Sequence, residues 1–232
     1  MNNILTLSGG KDSTALLLMI LEQCWPIRIT EIVFCDTGKE FPEMYSHLDK
    51  VEEYTQMPIT RLVPEKSFDY WMFDHVKTKG KHKGKRGYGW GNGPAKWCTK
   101  QVKTWPMEKY LKGKYGNDYT ELVGIAYDEP DRLDNQDFKR YPLAEMGITE
   151  GQCLKYCYDR GFDWGGLYTR FDRVSCWCCP KKNLRELYMI WSFYPELWKA
   201  LKEMDSRAWN SFRKDKSIAD LECRFEAYPK AA

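Results

Sequence analysis

The string Ser8-Gly9-Gly10-Lys11-Asp12-Ser13 lies between a short apolar run at residues 3–7 and a leucine-rich run at residues 13–23. The short run reads as a buried strand. The longer one, with Asp12 or Ser13 near its start, reads as a helix. A second buried strand is expected over residues 29–35, rich in Ile, Val and Phe and ending at Asp36-Thr37-Gly38, followed by a helix over residues 42–56 and a third strand over residues 59–63. Strands separated by helices of this length imply right-handed crossovers. The expected fold class is therefore α/β: a Rossmann-like, mainly parallel sheet flanked by helices.

The glycine string carries chemistry because of where it sits. A phosphate group needs close backbone approach, which Gly9 and Gly10 permit, free N–H donors, which a helix N-terminus offers, and hydroxyls, which Ser8 and Ser13 supply. The spacing is not that of the ATPase P-loop, which places four residues between its first Gly and a Gly-Lys pair. An ordinary serine-capped turn is the competing reading, and the whole string after a strand favours the phosphate site. Asp36 falls at the carboxyl end of the second strand, where open parallel sheets bind ligands, and suits Mg²⁺ or a ribose hydroxyl; capping the next turn is its alternative.

Ten Trp, 15 Tyr and 10 Phe exclude a disordered chain, which lacks such apolar surface. No apolar run reaches the roughly 18 residues of a membrane-spanning helix. Residues 1–4 lack the basic segment of a signal peptide, so a soluble, cytoplasmic protein is expected. In a reducing compartment, nine cysteines do not read as a disulfide framework. Cys176-Trp177-Cys178-Cys179-Pro180 instead has the spacing of metal or cluster ligands, or of redox thiols. Cys24, Cys35 and Cys223 read as buried reduced thiols. Cys153 and Cys157, four apart on one helix face, read as packing residues.

Beyond residue 75 the pattern breaks into Lys-Gly alternation. Lys77, Lys79, Lys81, Lys83, Lys85 and Arg86 precede Gly87-Tyr88-Gly89-Trp90, so a basic mobile loop is expected over residues 77–95. Such a loop grips a polyanion while Tyr88 and Trp90 stack on bases, or closes as a lid over phosphates, or is simply solvated. A helix over 100–115, a strand over 120–125 and a helix over 149–160 follow. Residues 183–212 read as two helices meeting near Pro195, with Trp191, Tyr194, Trp198 and Trp209 packing the helical cap. Two domains are expected: a nucleotide-binding domain over 1–182 and a C-terminal helical cap over 183–232.

These motifs resemble a known family. Residues 8–13 look like the pyrophosphate loop of the N-type ATP pyrophosphatase (PP-loop) superfamily. The segment from Val33 through Asp36-Thr37-Gly38-Lys39-Glu40-Phe41-Pro42 to Tyr45 is similar to the second-strand motif of its phosphoadenosine phosphosulfate reductase branch. Val123-Gly124-Ile125-Ala126-Tyr127-Asp128-Glu129-Pro130-Asp131-Arg132 resembles that branch's Gly, Glu and Arg motif, with Ala126 and Pro130 where the family often has Arg and Ser. The resemblance implies an adenine nucleotide alpha hydrolase-like sheet that binds ATP or phosphoadenosine phosphosulfate. It places the nucleotide against Ser8, Gly9, Gly10, Lys11, Asp12, Ser13, Asp36, Gly124, Glu129 and Arg132, with Lys11, Asp12 and Asp36 in catalysis and Mg²⁺ at the phosphates. It also implies that Cys98, Cys176 and Cys179, joined by Cys178, hold a 4Fe-4S cluster, with zinc the second choice.

Three functions follow from the resemblance. The first is an enzyme that adenylates an acceptor with ATP and assists sulfur transfer, with a nucleic acid as an acceptor reached through the basic loop. The second is a sulfonucleotide reductase or sulfotransferase. The third is a non-catalytic nucleotide- and cluster-binding subunit of a nucleic-acid-modifying complex, with protein partners. The reductases carry a mobile Glu-Cys-Gly-Leu-His-like tail, whereas Leu221-Glu222-Cys223-Arg224-Phe225 lacks the Gly and the His, which ranks adenylation ahead of reduction.

Overall fold

A computed structural model describes residues 1–22, 24–80, 82–93, 96–134, 136–214 and 216–227. Gln23 at the end of the first expected helix, and Lys81, Pro94 and Ala95 of the expected basic loop, lie outside these, as do residues 215 and 228–232 of the expected cap. In chain order the elements are β1 (Asn2–Thr6), α1 (Lys11–Leu21), β2 (Glu31–Cys35), α2 (Pro42–Thr55), β3 (Ile59–Leu62), α3 (Trp97–Thr99), α4 (Trp105–Tyr115), β4 (Tyr119–Val123) and β5 (Lys139–Arg140). They continue with α5 (Pro142–Glu145), α6 (Glu150–Tyr158), α7 (Leu167–Arg170), α8 (Leu184–Phe193), α9 (Pro195–Arg207) and α10 (Ile218–Glu226).

The chain divides into two compact units, the first formed by residues 1–36, 41–63 and 106–168 and the second by residues 37–40, 64–105 and 169 onward. The expected boundary at residue 182 falls inside the second unit. In the first unit, five strands form one sheet in the order β3-β2-β1-β4-β5, and every pairing is parallel. Ile4, Leu5, Ile32, Val33 and Leu122 are each fully buried, the near-continuous apolar run that a strand covered on both faces requires. Helix α1 packs on α6, α2 and α5, and buries nearly every residue from Lys11 to Ile20. That explains why its sequence is apolar all round and not striped.

The strand order reverses direction at β1, whose neighbours are β2 on one side and β4 on the other. Ligands of open parallel sheets bind outside the carboxyl ends of strands at such a reversal. Residues 8–13 leave β1 there, and Gly124 leaves β4 beside them.

In the second unit, α8 and α9 meet at Tyr194-Pro195 as the sequence suggests. Helix α8 opens with a capping box in which Asn183 and Glu186 exchange side-chain-to-backbone bonds. Sequence periodicity missed α10, which begins with a second capping box of Ser217 and Asp220 and buries Ile218, Leu221 and Phe225. The helix expected from residue 100 starts three residues earlier and passes through a π-helical turn, Lys100–Thr104. The Lys-Gly stretch is tied into a hairpin. Val76 and Arg86 form an antiparallel bridge, and Lys77 and Gly84 donate backbone bonds to Lys85 and Lys77.

Candidate functional site

The glycine loop of the first unit is built by hydrogen bonds within itself. The Ser8 amide donates to Ser13 Oγ at 3.1 Å, and the two serine hydroxyls lie 2.9 Å apart. Gly9 has φ 76°, the left-handed region that a side chain disfavours. Gly124 is required for a different reason: a Cβ there would stand 2.6 Å from Ser13 Cα and 2.7 Å from its amide nitrogen. Only a glycine lets the end of β4 lie against the first turn of α1. Gly10 caps that helix without a side-chain bond, leaving its first amides to other acceptors.

Around this loop the structure collects charge. Lys11 Nζ is 2.5 Å from Glu150 Oε1 and 3.8 Å from Asp12. Oxygens of Asp12, Glu129 and Glu150 all lie within 4.8 Å of one another. Glu129 is paired with Arg132. Burial raises the Asp12 carboxyl to about 6, with Lys11 opposing the shift and Glu150 and Glu129 adding to it. Its Oδ1 is buried without a hydrogen-bond partner among the described residues, the environment a cation would complete.

Ser8, Gly9, Gly10, Lys11, Asp12, Ser13, Gly124, Glu129 and Arg132 thus lie around one loop. Lys11 and Ser13 are themselves buried. Asp36 stands at the end of β2, where its Oδ1 accepts the Tyr45 hydroxyl at 2.7 Å, and it is not part of the acidic group. Sequence reading missed Glu150, Trp164 and Tyr168. Glu150 follows a capping-box threonine, Thr149, which was its one available signal. Cys153 and Cys157 are fully buried, as expected of packing thiols; the Cys157 thiol donates to the Lys11 carbonyl at 3.6 Å.

The second unit holds the four thiols expected as ligands, Cys98, Cys176, Cys178 and Cys179. Cys176 donates to Glu40 Oε1 at 3.6 Å and lies 3.8 Å from Thr37 Oγ1. Trp177 N donates to the Lys39 carbonyl at 3.0 Å, so the segment 37–40 is fastened to the Cys-x-x-Cys turn. Cys98 opens from α3, and the empty side of Gly91 faces its sulfur, 3.6 Å from where a Cβ would stand. Burial pushes the Cys176 thiol up to about 12 and Cys178 well above its ordinary value, with neighbouring cysteines adding to both shifts. Cys98 is raised by burial and then by Cys179.

Three cations offset this. Lys103 acts on Cys98 and Cys176, Lys39 on Cys178, and the buried Lys182 faces Cys179, Cys176 and Cys178. The four expected cysteines are thus coupled electrostatically, with positive charge opposite them, but among the described residues no three of their sulfurs lie within 4.8 Å of one another. Glu40, Lys39 and Lys103 were not anticipated there. Cys24 and Cys223 are exposed, contrary to the expectation that they are core residues, whereas Cys35 is buried.

The hairpin departs from its expected role in one respect. Trp90 is 3% exposed and donates from Nε1 to Asp205 at 2.8 Å, so it is a core residue and offers no ring to a base. Its indole, set among alternating glycines, is the large apolar group around which that segment packs. Tyr88 is stacked between His75 and Trp97. Trp209, expected inside the helical cap, is exposed, with Lys77 and Lys85 over its ring. No helix among the described residues is long and apolar enough to cross a membrane.

A protein of Methanocaldococcus jannaschii is 27% identical over 201 residues, covering 82% of this chain and 38% of that protein. A nin region protein of Escherichia phage lambda is 28% identical over 202 residues, covering 81% of this chain and 68% of its own length. The chain therefore spans well under half of the first relative and about two thirds of the second. The phosphoadenylyl-sulfate reductase of Candida auris, solved as a phosphate complex, shares the fold with a TM-score of 0.53 at 18% identity, over 76% of this chain and 82% of that one. The family profile described as the phosphoadenosine phosphosulfate reductase domain matches residues 2–182, the stretch that holds the glycine loop, the Gly124–Arg132 segment and every expected cysteine ligand. By that match the chain belongs to the phosphoadenosine phosphosulfate reductase domain family.

Proposed function

We propose that the protein is an ATP pyrophosphatase-type enzyme that adenylates an acceptor oxygen and assists its replacement by sulfur. The observation that carries this reading is the glycine loop between β1 and α1, with Lys11, Asp12, Glu129, Glu150 and Arg132 around it. In the reaction the acceptor oxygen attacks the α-phosphorus of ATP, the bond to the bridging oxygen of the β-phosphate breaks, and pyrophosphate leaves. Amides at the start of α1, the hydroxyls of Ser8 and Ser13, and Lys11 are suited to receive the charge that develops on the departing group.

Mg²⁺ would be held with the phosphates by Asp12, Glu129 and Glu150, which are close enough to share one ion, while Asp36 is placed for a ribose hydroxyl or for the ion's outer ligands. Cys98, Cys176, Cys178 and Cys179 would hold a 4Fe-4S cluster, with zinc the alternative for the same donors. Such a cluster supplies a site for binding sulfur or moving electrons. The chain's own contribution is the compensation of thiolate charge by Lys39, Lys103 and Lys182. An acceptor that is a nucleic acid would meet the exposed cations Lys79, Lys83, Lys85 and Arg86 of the hairpin.

Reduction of a sulfonucleotide is the second reading, supported by the family itself. A reductase nucleophile must reach sulfur on a mobile segment, whereas Cys223 lies within α10, flanked by the buried Leu221 and Phe225. Incubating the protein with ATP and with phosphoadenosine phosphosulfate, and measuring pyrophosphate and sulfite release, separates the two. Pyrophosphate release that persists in Cys223→Ser and falls in Asp36→Asn is expected. Sulfite release that disappears in Cys223→Ser would overturn the ranking.

A further inference from the structure

Two polar side chains from one short segment bond directly to the backbone of the glycine loop. Trp164 Nε1 donates to the Gly9 carbonyl at 2.7 Å, and the Lys11 amide donates to Tyr168 Oη at 2.7 Å. The segment holds itself in an unusual conformation to do so. Trp164 has φ 52° and is followed by Gly165 and Gly166, both also at positive φ. A tryptophan in this region is strained and persists only where its surroundings dictate it. Here they do: Trp164 is 2% exposed, its ring stacks on His47 at 4.5 Å, and its indole N–H is fixed on Gly9.

The consequence is the placement of Tyr168, whose ring meets Trp164 edge-on at 4.8 Å. Its hydroxyl oxygen takes one of the first amides of α1, a donor of the kind that phosphate groups accept from at helix N-termini. The same oxygen lies 3.3 Å from the point where a Cβ of Gly10 would stand, so it overhangs the loop itself. Lys11 Nζ is 5.5 Å from the ring centroid. Because the hydroxyl accepts from Lys11, its own proton is left to donate. Burial raises its pKa, which keeps the phenol protonated.

We propose that Tyr168 is a phosphate-binding residue, passing the Lys11 amide dipole through its hydroxyl to a phosphate oxygen of the nucleotide, and that Trp164 positions the loop for this contact. The proposal rests on the reading of the loop as a nucleotide site and adds a residue that lies far from the glycine motif in sequence.

The test is calorimetric titration of the full chain with inorganic pyrophosphate and with ATP, in the native protein, Tyr168→Phe and Trp164→Phe. Loss of a hydrogen bond to a charged group predicts affinity about tenfold weaker for both ligands in Tyr168→Phe. Equal affinity in Tyr168→Phe and the native chain, with a urea midpoint showing that the variant is folded, overturns the proposal and leaves the nucleotide reading intact. A native chain that binds neither ligand overturns both. Direct contact is read separately by placing 3-fluorotyrosine at position 168 in the otherwise native chain. Its fluorine resonance is expected to shift when pyrophosphate binds, and bound pyrophosphate without a shift rejects the contact even if Tyr168→Phe fails to fold.

Discussion

In the sheet-bearing unit, the loop over residues 8–13 is contiguous in sequence and is held by backbone and hydroxyl bonds at the switch point of a parallel sheet. In the other unit, four thiols arrive from two segments far apart, and no sheet orders them. Their neighbours are one carboxylate, Glu40, and three lysines. The first arrangement pairs its serine hydroxyls and the Lys11 amide within the chain but leaves Asp12 Oδ1 buried without a hydrogen-bond partner among the described residues. In the second, Cys178 is buried and Cys98 and Cys176 are partly exposed, and burial opposes the ionisation of these three thiols. The first site is framed by the sheet, the second by charged side chains drawn from separate segments.

Removing the steric fit on which the loop depends should have the largest effect. Gly124→Ala forces a methyl group into the backbone of Ser13, and overpacking against backbone is expected to cost about 3 kcal/mol with loss of nucleotide binding. Urea unfolding and calorimetry with ATP would measure both, and a variant that binds ATP normally would remove the claim that β4 sets the loop.

On the cysteine side, Cys176→Ser should abolish bound iron or zinc and lower the melting temperature of the anaerobically purified protein, whereas Cys24→Ser should change neither. Metal analysis of the two variants checks it. Full metal content in Cys176→Ser would mean that the thiols gathered there are packing residues.

The third expectation concerns pH and the first unit only. Burial lowers His47 to about 3 from the ordinary 6.5, so the folded chain holds the ring neutral while the unfolded chain protonates it. Its contribution is fully present above pH 6.5 and is lost as pH falls from there toward 3, by about 3 kcal/mol between pH 6.5 and 4 and about 5 kcal/mol in all. His47→Gln should therefore flatten the decline of stability between pH 6.5 and 4. An unchanged slope would show that His47 is not the group responsible.

The smallest effect is expected at the hairpin. Replacing exposed Lys83 and Lys85 by Ala should leave stability within about 0.5 kcal/mol. Binding of a single-stranded oligonucleotide, if nucleic acid is the acceptor, should lose up to about two units of its salt slope. An oligonucleotide bound with the native slope by the double variant would move the acceptor surface elsewhere.

The parallel sheet, its order of elements and the glycine loop were legible because they are local. An apolar run of five residues, a two-glycine turn and a leucine-rich helix are each encoded within a dozen positions, and βαβ handedness follows from chain twist. The short strand β5 was not legible, since Lys139 and Arg140 carry no apolar signal and are recruited by pairing in register with Glu121 and Leu122 of β4. Trp90 was misread because a tryptophan among glycines has no periodicity to reveal that Asp205 and Phe212 enclose it.

By itself the sequence determined which residue types could bind phosphate and metal, and on which strand ends and turns they fall, because those depend on backbone geometry and spacing. Only the tertiary structure decided the partners: Glu150 on Lys11, Trp164 and Tyr168 on the loop backbone, Glu40 on Cys176. Each joins positions more than 130 residues apart, and hydrogen bonds across such separations exist only after burial has brought the segments together.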